Sequence, residues 1–313
     1  MNLRDIGRRP RALGIACAIG AVALGLAYLT LAGAPLSYLA VNAGALVTGL
    51  AVVALFRLGA PARALPKGAG IVAMAGGLLA TALMGETIEG AARWVTLGGL
   101  TVQPSLILLP AMLVGYARGR NAVATVGIVL AAAAMAIQPD RAMAGMLALG
   151  LAVLLMQQPN RQVAVACAAG VIGFAATLVR ADTLPAVPYV DQILYSSFEV
   201  HALAGAAVLA GSALLLLPAI VGGGQVAADR APYLVFGALW LGAILAAALG
   251  NYPTPVVGYG GSAILGYLLS LLALPRSAGR RAGTASHSDS SANGASPDGP
   301  LSLTPAQIGF RPT

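Results

Sequence analysis

The chain has 313 residues, of which 58% are hydrophobic and only 9% are charged, and its mean hydropathy is +0.85. About a quarter of the residues of soluble domains are charged, so this composition excludes a soluble domain and indicates a membrane protein. The two cysteines, Cys17 and Cys167, both lie in apolar runs, which excludes a disulfide framework or a cysteine-built metal site. The net charge of +8 is interpreted through its distribution over the loops, and we expect no nucleic-acid partner.

Ten apolar segments follow one another along the chain, and each predicts a membrane-spanning helix of about 20 residues or somewhat fewer. The fourth to sixth are short, so a count of eight or nine spans is the alternative. The first segment follows the basic start "MNLRDIGRRPRA" and leads straight into the second, so we interpret it as a retained anchor. The segments lie at approximately 12–33, 37–56, 68–84, 104–117, 122–137, 142–156, 162–179, 199–221, 232–250 and 257–275.

The basic residues predict the orientation of these spans. If the amino terminus is cytoplasmic, all but three of the 18 basic residues fall in inner segments, as the positive-inside rule requires. The predicted fold class is therefore an all-α polytopic membrane protein with about ten transmembrane helices and both termini in the cytoplasm. The outer segments contain the remaining basic residues, Arg93, Arg141 and Arg180, and six of the ten acidic residues, which are Glu86, Glu89, Asp140, Asp182, Asp191 and Glu199.

The carboxyl-terminal segment has a different composition from the rest of the chain. Residues 277–313 are rich in Ser, Gly, Ala and Pro, so too little apolar surface is available to offset the entropy of ordering them. The predicted organisation is a transmembrane helix bundle over 1–276 and a disordered cytoplasmic tail over 277–313.

Polar and aromatic residues gather in the four predicted outer loops. Charged groups at membrane depth are costly and are usually functional, so we expect substrate contact at the outer face. The four loops contain "GETIEGAARWVTLGGLTVQP", "QPDRA", "VRADTLPAVPYVDQILYSSFEVHALAG" and "GNYPTPVVGYGGS".

These loops resemble motifs of the SEDS family, the FtsW/RodA/SpoVE group of cell-cycle proteins. "GAARWVTLGGLTVQPS" is similar to the family's Gly-Ala-x-Arg-Trp-(Ile/Val)-x-Leu-Gly…Gln-Pro-Ser segment, and "QPDRAMAGMLALG" to its Gln-Pro-Asp-Leu-Gly-Thr helix start. "VDQILYSSFEVHALAG" resembles its Thr-Asp-Phe-Ile-Phe…Glu-Glu-x-Gly-x-x-Gly stretch, and "PVVGYGGSAILGYLLSLLAL" its Pro-Phe-x-Ser-Tyr-Gly-Gly-Ser end. The four motifs occur in the family's order over roughly 12–276.

The resemblance implies a function in the bacterial cytoplasmic (inner) membrane. Members of the family polymerise lipid II, the undecaprenyl-linked disaccharide-peptide of peptidoglycan, at the outer leaflet. They act in cell division or cell-shape maintenance together with a class B penicillin-binding protein. Their proposed catalytic acid maps onto Asp191. We therefore expect a peptidoglycan glycosyltransferase whose partners are lipid II, a class B penicillin-binding protein and membrane lipids.

Glycan polymerisation sets two chemical requirements. A base must take the proton from the attacking sugar hydroxyl, and Asp191 is the candidate, its structural alternative being a solvated loop acid or a helix cap. Cations must hold the departing pyrophosphate, which arginine or a divalent metal can do, so a divalent cation is the candidate cofactor. The candidate substrate-binding residues are Arg93, Trp94, Asp140, Arg141, Arg180, Glu199 and Tyr259.

Several of these candidates have structural alternatives. Arg93 is suited to pairing with Glu86 or Glu89 or to reaching lipid headgroups. Trp94 has the position of an interfacial belt residue, and Asp140 that of a helix-start carboxylate. The spacing of Glu86 and Glu89 places them on one face of a helical turn, which is a weak signal for a metal site.

The chain also departs from the family's pattern. The segment "QPSLILLPAML" is apolar where the family carries Glu and Lys, and the loop between the seventh and eighth segments has only about 20 residues where the family's is long. These departures favour an alternative function as an inactive scaffold for a penicillin-binding protein. A lipid flippase or transporter is a further alternative, less favoured because the spans are nearly free of charge.

Overall fold

The described part of the chain consists mainly of helices, as a computed structural model of the protein shows. The structure describes residues 10–58, 68–88, 90–180, 184–224 and 227–275. The predicted tail, 277–313, lies outside the described residues. The helices are α1 Pro10–Leu31, α2 Leu36–Leu58, α3 Ala69–Met84, α4 Pro104–Arg118, α5 Ala122–Ile137, α6 Arg141–Gln157, α7 Arg161–Leu178, α8 Ile193–Val200, α9 Ala202–Leu214, α10 Leu217–Gly223, α11 Ala227–Leu249 and α12 Gly261–Ala273.

The predicted apolar segments correspond to these helices one by one. The eighth segment is the pair α9–α10, and α8 is an additional short helix that precedes it. Within the residues that the structure describes, five helical stretches have the length and hydropathy to cross a membrane, and five shorter apolar helices accompany them. The predicted class of an all-α, multi-pass membrane protein is confirmed. The count of ten spans stays a prediction.

Short polar side chains begin three of the helices. Asn121, Asp140 and Asn160 precede α5, α6 and α7, and the side-chain oxygen of each accepts a hydrogen bond from the amide three residues later, at 2.8, 3.2 and 2.9 Å. Such a side chain satisfies one of the amides that a helix start leaves without a partner in the helix. These caps explain why nearly continuous apolar sequence divides into separate helices.

A small antiparallel sheet lies between α3 and α4. Its strands are β1 Glu86–Ile88, β2 Ala91–Leu97 and β3 Leu100–Val102, in the order β1-β2-β3. The turn between β2 and β3 consists of Gly98 and Gly99, with φ of 57° and 83°, and glycine is favoured where both central residues of a hairpin turn need positive φ. The segment that contains the Arg-Trp motif is therefore a folded hairpin and not an irregular loop.

Close helix packing brings α4 against α12. A Cβ atom built on Gly266 would lie 1.9 Å from the carbonyl oxygen of Leu106, so only glycine permits this crossing. Beside it, the ring of Tyr267 lies 5.0 Å from that of Trp240 and 5.3 Å from that of Phe236, and all three are fully buried. Both ring pairs have an interplanar angle of 62°. Aromatic pairs in this edge-to-face arrangement contribute about 0.5–1.5 kcal/mol beyond the burial of their area. The crossing fixes where α12 begins relative to the start of α4.

The two ends of the bundle are distinguished by their contacts. At the carboxyl end of α12, the Arg11 guanidinium donates to the carbonyl oxygens of Leu272, at 2.8 Å, and Leu274, and Arg118 donates to that of Ala273. These arginines belong to predicted inner segments, so this is called the inner end, and the end at which α12 begins is called the outer end. The first and last described helices thus have their predicted cytoplasmic termini at the same end.

Cysteine labelling will test the orientation of the bundle. The two native cysteines are buried, so a Cys17→Ala/Cys167→Ala background provides an unreactive reference. Cysteines placed at the exposed positions Thr96 and Pro185, near the outer end, are expected to react with a membrane-impermeant maleimide in intact cells. A cysteine at the exposed Gln157, at the inner end, is expected to react only after permeabilisation. The reverse pattern would contradict the predicted orientation.

Candidate functional site

Three non-helical segments meet at the outer end of the bundle. They are the segments around Gln103, around Tyr189 and over residues 250–260. The Tyr259 backbone amide donates to the Tyr189 carbonyl at 2.8 Å, and the Gln103 backbone amide donates to Oγ of Ser262, in the first turn of α12, at 3.0 Å. The Thr254 amide also donates to the Val190 carbonyl at 3.0 Å. Residues that are far apart in the sequence, in the motifs around 103, 191 and 259, therefore lie in one region.

Asp191 is held by the turn that precedes it. Its Oδ2 accepts a hydrogen bond from the Val187 amide at 2.8 Å, and its own amide donates to the Val187 carbonyl at 3.0 Å. An isolated antiparallel bridge pairs it with Pro253. Only 8% of the residue is exposed, and Oδ1 is buried without a hydrogen-bond partner among the described residues.

Burial changes the acidity of this carboxyl group. Removal from water disfavours the charged form and raises the pKa of Asp191 above its ordinary value of 3.8. The hydrogen bond from the Val187 amide stabilises the carboxylate and lowers the pKa, but this effect is the smaller one. A buried carboxylate oxygen that lacks a donor is suited to accepting a proton from a substrate.

Strained backbone surrounds Asp191. Tyr189, Gln192 and Val256 have φ of 66°, 58° and 69°, in the left-handed region that side chains with a Cβ rarely adopt. Each such residue costs on the order of 1–3 kcal/mol and persists only where its surroundings enforce it. Here a hydrogen bond from Gln192 Nε2 to Asn251 Oδ1, at 2.7 Å, and the Tyr259–Tyr189 backbone bond supply that enforcement.

A side chain from α2 fixes the segment opposite Asp191. Asn42 is fully buried; its Nδ2 donates to the Gly258 carbonyl at 2.9 Å, and its Oδ1 accepts from the Gly260 amide at 3.0 Å. The two bonds enclose Tyr259, which in turn holds Tyr189. Asn42 is not among the residues that the sequence motifs predict for the site. A lone amide in the apolar run "SYLAVNAGALV" was the signal, because a polar side chain in a span is costly unless it is paired.

Asp140 connects two of the motifs. The buried carboxylate accepts hydrogen bonds from Gln103 Nε2 and Ser105 Oγ, both at 3.0 Å, in addition to capping α6. The Gln-Pro-Ser and Gln-Pro-Asp motifs are thus joined through one side chain. The helix-start interpretation of Asp140 matches this geometry, and its role in substrate binding stays a prediction.

Arg93 lies close to the same loop. The residue is 4% exposed, and its guanidinium donates to the Pro139 carbonyl. Its Cζ lies 5.9 Å from the centroid of the half-buried ring of Trp94. The contact of Arg93 with the loop that ends at Asp140 links the hairpin to the start of α6.

Arg141 lines a cavity at the outer end of the bundle, and Asp191 itself is not among the lining residues. The cavity has a volume of about 290 Å³, and Arg141 Nη2 donates to the Arg180 carbonyl at 3.0 Å. Gln192, the residue that follows Asp191, is part of the wall. The full lining is Arg141, Leu184, Gln192, Leu249, Gly250, Asn251 and Tyr252.

The remaining predicted site residues are more exposed to solvent than Asp191, Asp140 and Arg93. Arg180 is exposed, and Glu199 is exposed near the end of α8. The Tyr259 ring is half-buried and stacks on that of Tyr38. The described residues contain no group of three or more His, Cys, Asp or Glu side chains that could hold a metal ion, and the side chains of Glu86 and Glu89 lie outside the description. A divalent cation stays a prediction, as do the binding roles of Arg180, Glu199 and Tyr259.

Comparison with solved structures shows which known fold this chain resembles. No family model matches the chain, and no curated protein matches it. The chain is similar to the crystal structure of the rod shape determining protein RodA of Thermus thermophilus, with a TM-score of 0.57 and 21% identity over 83% of this chain and 94% of RodA. It is likewise similar to an aspartate-to-alanine variant of that RodA, with a TM-score of 0.58 and 20% identity over 83% of this chain and 95% of the other. RodA is a SEDS protein, so this multi-pass membrane protein has a SEDS-like fold.

Removal of the Asp140 carboxylate is expected to destabilise the fold. Asp140→Ala leaves two buried donors and one helix-start amide without their acceptor, at a cost of about 2 kcal/mol or more. The thermal unfolding temperature in detergent, followed by size-exclusion chromatography after heating, measures this loss. Asn160→Ala is the matched control, because Asn160 is exposed and caps α7 with one hydrogen bond. Equal losses in the two variants would contradict a special role of Asp140.

Proposed function

We propose that this chain is a peptidoglycan glycosyltransferase of the bacterial inner membrane that polymerises lipid II at the outer leaflet. It acts in cell division or cell-shape maintenance with a class B penicillin-binding protein as partner. The single observation that carries the proposal is the carboxyl of Asp191, which is buried at the outer end of a SEDS-like bundle with Oδ1 lacking a hydrogen-bond donor.

Asp191 is the general base in this proposal. A hydroxyl of the acceptor sugar donates its proton to the carboxylate, and the resulting oxygen nucleophile forms a bond to the anomeric carbon of the donor sugar. The bond from that carbon to the diphosphate breaks, and the lipid diphosphate leaves with the electron pair. The protonated carboxyl returns its proton to water. A raised pKa supports this role, because a base of higher pKa holds the transferred proton more strongly.

Arg141 is the candidate residue for stabilising the negative charge of the departing diphosphate. Of the three outer arginines it is the one that lines the cavity next to Gln192, whereas Arg93 is buried against the Pro139 carbonyl and Arg180 is exposed. Arginine forms charge-assisted hydrogen bonds with phosphate oxygens, and such bonds strengthen as the diphosphate departs. The described residues contain no group of three or more His, Cys, Asp or Glu side chains suited to a metal ion, and a divalent cation stays a prediction.

The scaffold function is the second candidate. Its specific support is the start of α4, where Gln103 and Ser105 are used by Asp140 and the residues that follow are apolar, although the resembled family carries Glu and Lys there. A scaffold would bind lipid II or the penicillin-binding protein without forming polymer. The flippase alternative has no such support among the described contacts.

Replacement of Asp191 tests the enzyme directly. Purified protein is incubated with fluorescent lipid II, with and without its cognate penicillin-binding protein, and the products are separated by electrophoresis. Wild type is expected to form glycan polymer, and Asp191→Asn to lose it by about 100-fold or more, since general bases contribute about 10²–10⁴-fold. Binding of lipid II without polymer by the wild type would support the scaffold and overturn the enzyme.

The pH dependence of stability and of activity in wild type and Asp191→Asn tests the raised pKa of Asp191 independently. The folded protein holds the Asp191 proton to higher pH than the unfolded chain does, so this group favours folding at low pH and the contribution is lost as pH rises through the raised pKa. Asp191→Asn is therefore expected to unfold at a higher temperature than wild type at neutral pH, and the difference is expected to shrink as pH falls. The acidic limb of the kcat/KM profile is expected above pH 3.8. A limb at the ordinary aspartate value would exclude Asp191 as the base.

Substitution of Arg141, with Arg161 as a matched control, tests whether the cavity binds the departing diphosphate. Arg141 and Arg161 each begin a helix directly after a capping side chain, but they lie at opposite ends of the bundle. Arg141→Gln is expected to reduce polymerisation about 10-fold to 100-fold, because a hydrogen bond to a charged group contributes about 1.5–3 kcal/mol. Arg161→Gln is expected to leave it unchanged. Equal rates in the two variants, measured at limiting lipid II, would remove Arg141 from the site.

A further inference from the structure

Three tyrosines from separate parts of the chain meet beside Asp191. Tyr38 lies at the start of α2, Tyr189 precedes Asp191 by two residues, and Tyr259 belongs to the segment held by Asn42. The rings of Tyr38 and Tyr259 are stacked, with centroids 3.7 Å apart and an interplanar angle of 11°. The Tyr189 ring stands edge-on to that of Tyr38, at 6.1 Å and 85°. We refer to these three residues as the tyrosine cluster.

The cluster is built to remain open and rigid. All three rings are half-buried, so each contributes to the surface of the outer end. The Tyr189 backbone is held in its left-handed conformation by the Tyr259 amide, and Asn42 bonds the backbone on both sides of Tyr259. The cost of ordering these side chains is therefore met during folding and not upon binding, which is how preorganised sites gain affinity.

The chemistry of the cluster fits an uncharged, hydroxyl-rich ring. Aromatic rings offer apolar faces to the C–H groups of a sugar, and tyrosine adds a hydroxyl that donates and accepts hydrogen bonds. None of the three hydroxyls forms a side-chain hydrogen bond within the described ranges, so they remain available to a ligand.

We infer that the tyrosine cluster binds the N-acetylated sugar whose hydroxyl is delivered to Asp191. The inference rests on the proposed function and deepens it by assigning Tyr38 and Tyr189, together with Tyr259, as the platform for the acceptor sugar. The cluster fixes the plane of the sugar ring, while Asp191 receives the proton.

Binding of a soluble glycan isolates this step from polymerisation. The probe is a lipid-free N-acetylglucosamine–N-acetylmuramic acid tetrasaccharide, and saturation-transfer NMR with the protein in nanodiscs measures its affinity and the sugar protons in contact. Tyr38→Leu is expected to weaken binding about threefold to tenfold, because it removes the aromatic ring that contacts the sugar. Tyr38→Phe is expected to stay within about threefold of wild type, since it keeps the ring.

Tyr195→Leu is the control. Tyr195 is 60% exposed on α8 and bonds the Ala248 carbonyl outside the cluster, so its loss is expected to leave sugar affinity unchanged. Asp191→Asn is also expected to bind the tetrasaccharide normally while forming no polymer, which separates failure of the platform from failure of the enzyme. Unchanged affinity in Tyr38→Leu would overturn the inference and indicate that these tyrosines are interfacial anchors for lipid headgroups.

A measurement on the wild-type protein covers the case of a variant that does not fold. Nitration by tetranitromethane, mapped by mass spectrometry, reports the solvent accessibility of each tyrosine ring. The tetrasaccharide is expected to protect Tyr38, Tyr189 and Tyr259 but not Tyr195. Equal nitration of all four with and without the glycan would also overturn the inference.

Discussion

The two hydrogen bonds from Asn42 to the backbone on either side of Tyr259 are the interaction on which the outer end depends. In hydrocarbon, a backbone group or amide without a partner costs several kcal/mol, so irregular chain is stable only where another part of the protein satisfies it. Asn42 provides both partners from the second turn of α2. Its bonds fix Tyr259, the Tyr259 amide fixes Tyr189, and Asp191 follows two residues later. The position of the carboxylate is thus decided largely by a helix more than 100 residues away in the sequence.

The residues that share motifs have divided roles in the structure. Asp140 and Arg93 are buried and bonded to their own protein, Asp140 to Gln103 and Ser105 and Arg93 to the Pro139 carbonyl. Their contacts explain why these residue types occur together, since each stabilises the junction of the hairpin with α4 and α6. Arg141 and Tyr259, by contrast, present groups to a cavity or to the surface. A motif match alone does not separate the residues that hold the site together from those that face a ligand.

Residues at which this chain differs from the resembled family form specific contacts at the outer end. Arginine stands at position 141, directly after the Gln-Pro-Asp motif, and brings a cation to the cavity beside Gln192. In the short loop, Tyr189 joins an aromatic cluster with Tyr38. The short connection from α7 is compensated by α8 and by the hydrogen bonds of Gln192 and Asn251, which tie it to the segment before α12. The connection between α7 and α8 is therefore held by hydrogen bonds between segments of this chain.

The sequence by itself determined the membrane class, the helix order and the gathering of ionisable residues at one end. Hydropathy and loop charge act through local composition, and a bilayer enforces both wherever the chain folds. The resemblance of its motifs also indicated Asp191 as a candidate. Only the tertiary structure decided the hairpin register, the pairing of Asp140 with Gln103, the role of Asn42 and the meeting of Tyr38, Tyr189 and Tyr259. Those features depend on contacts between segments distant in the chain, such as the approach of Gly266 to Leu106, and no local pattern specifies which surfaces meet.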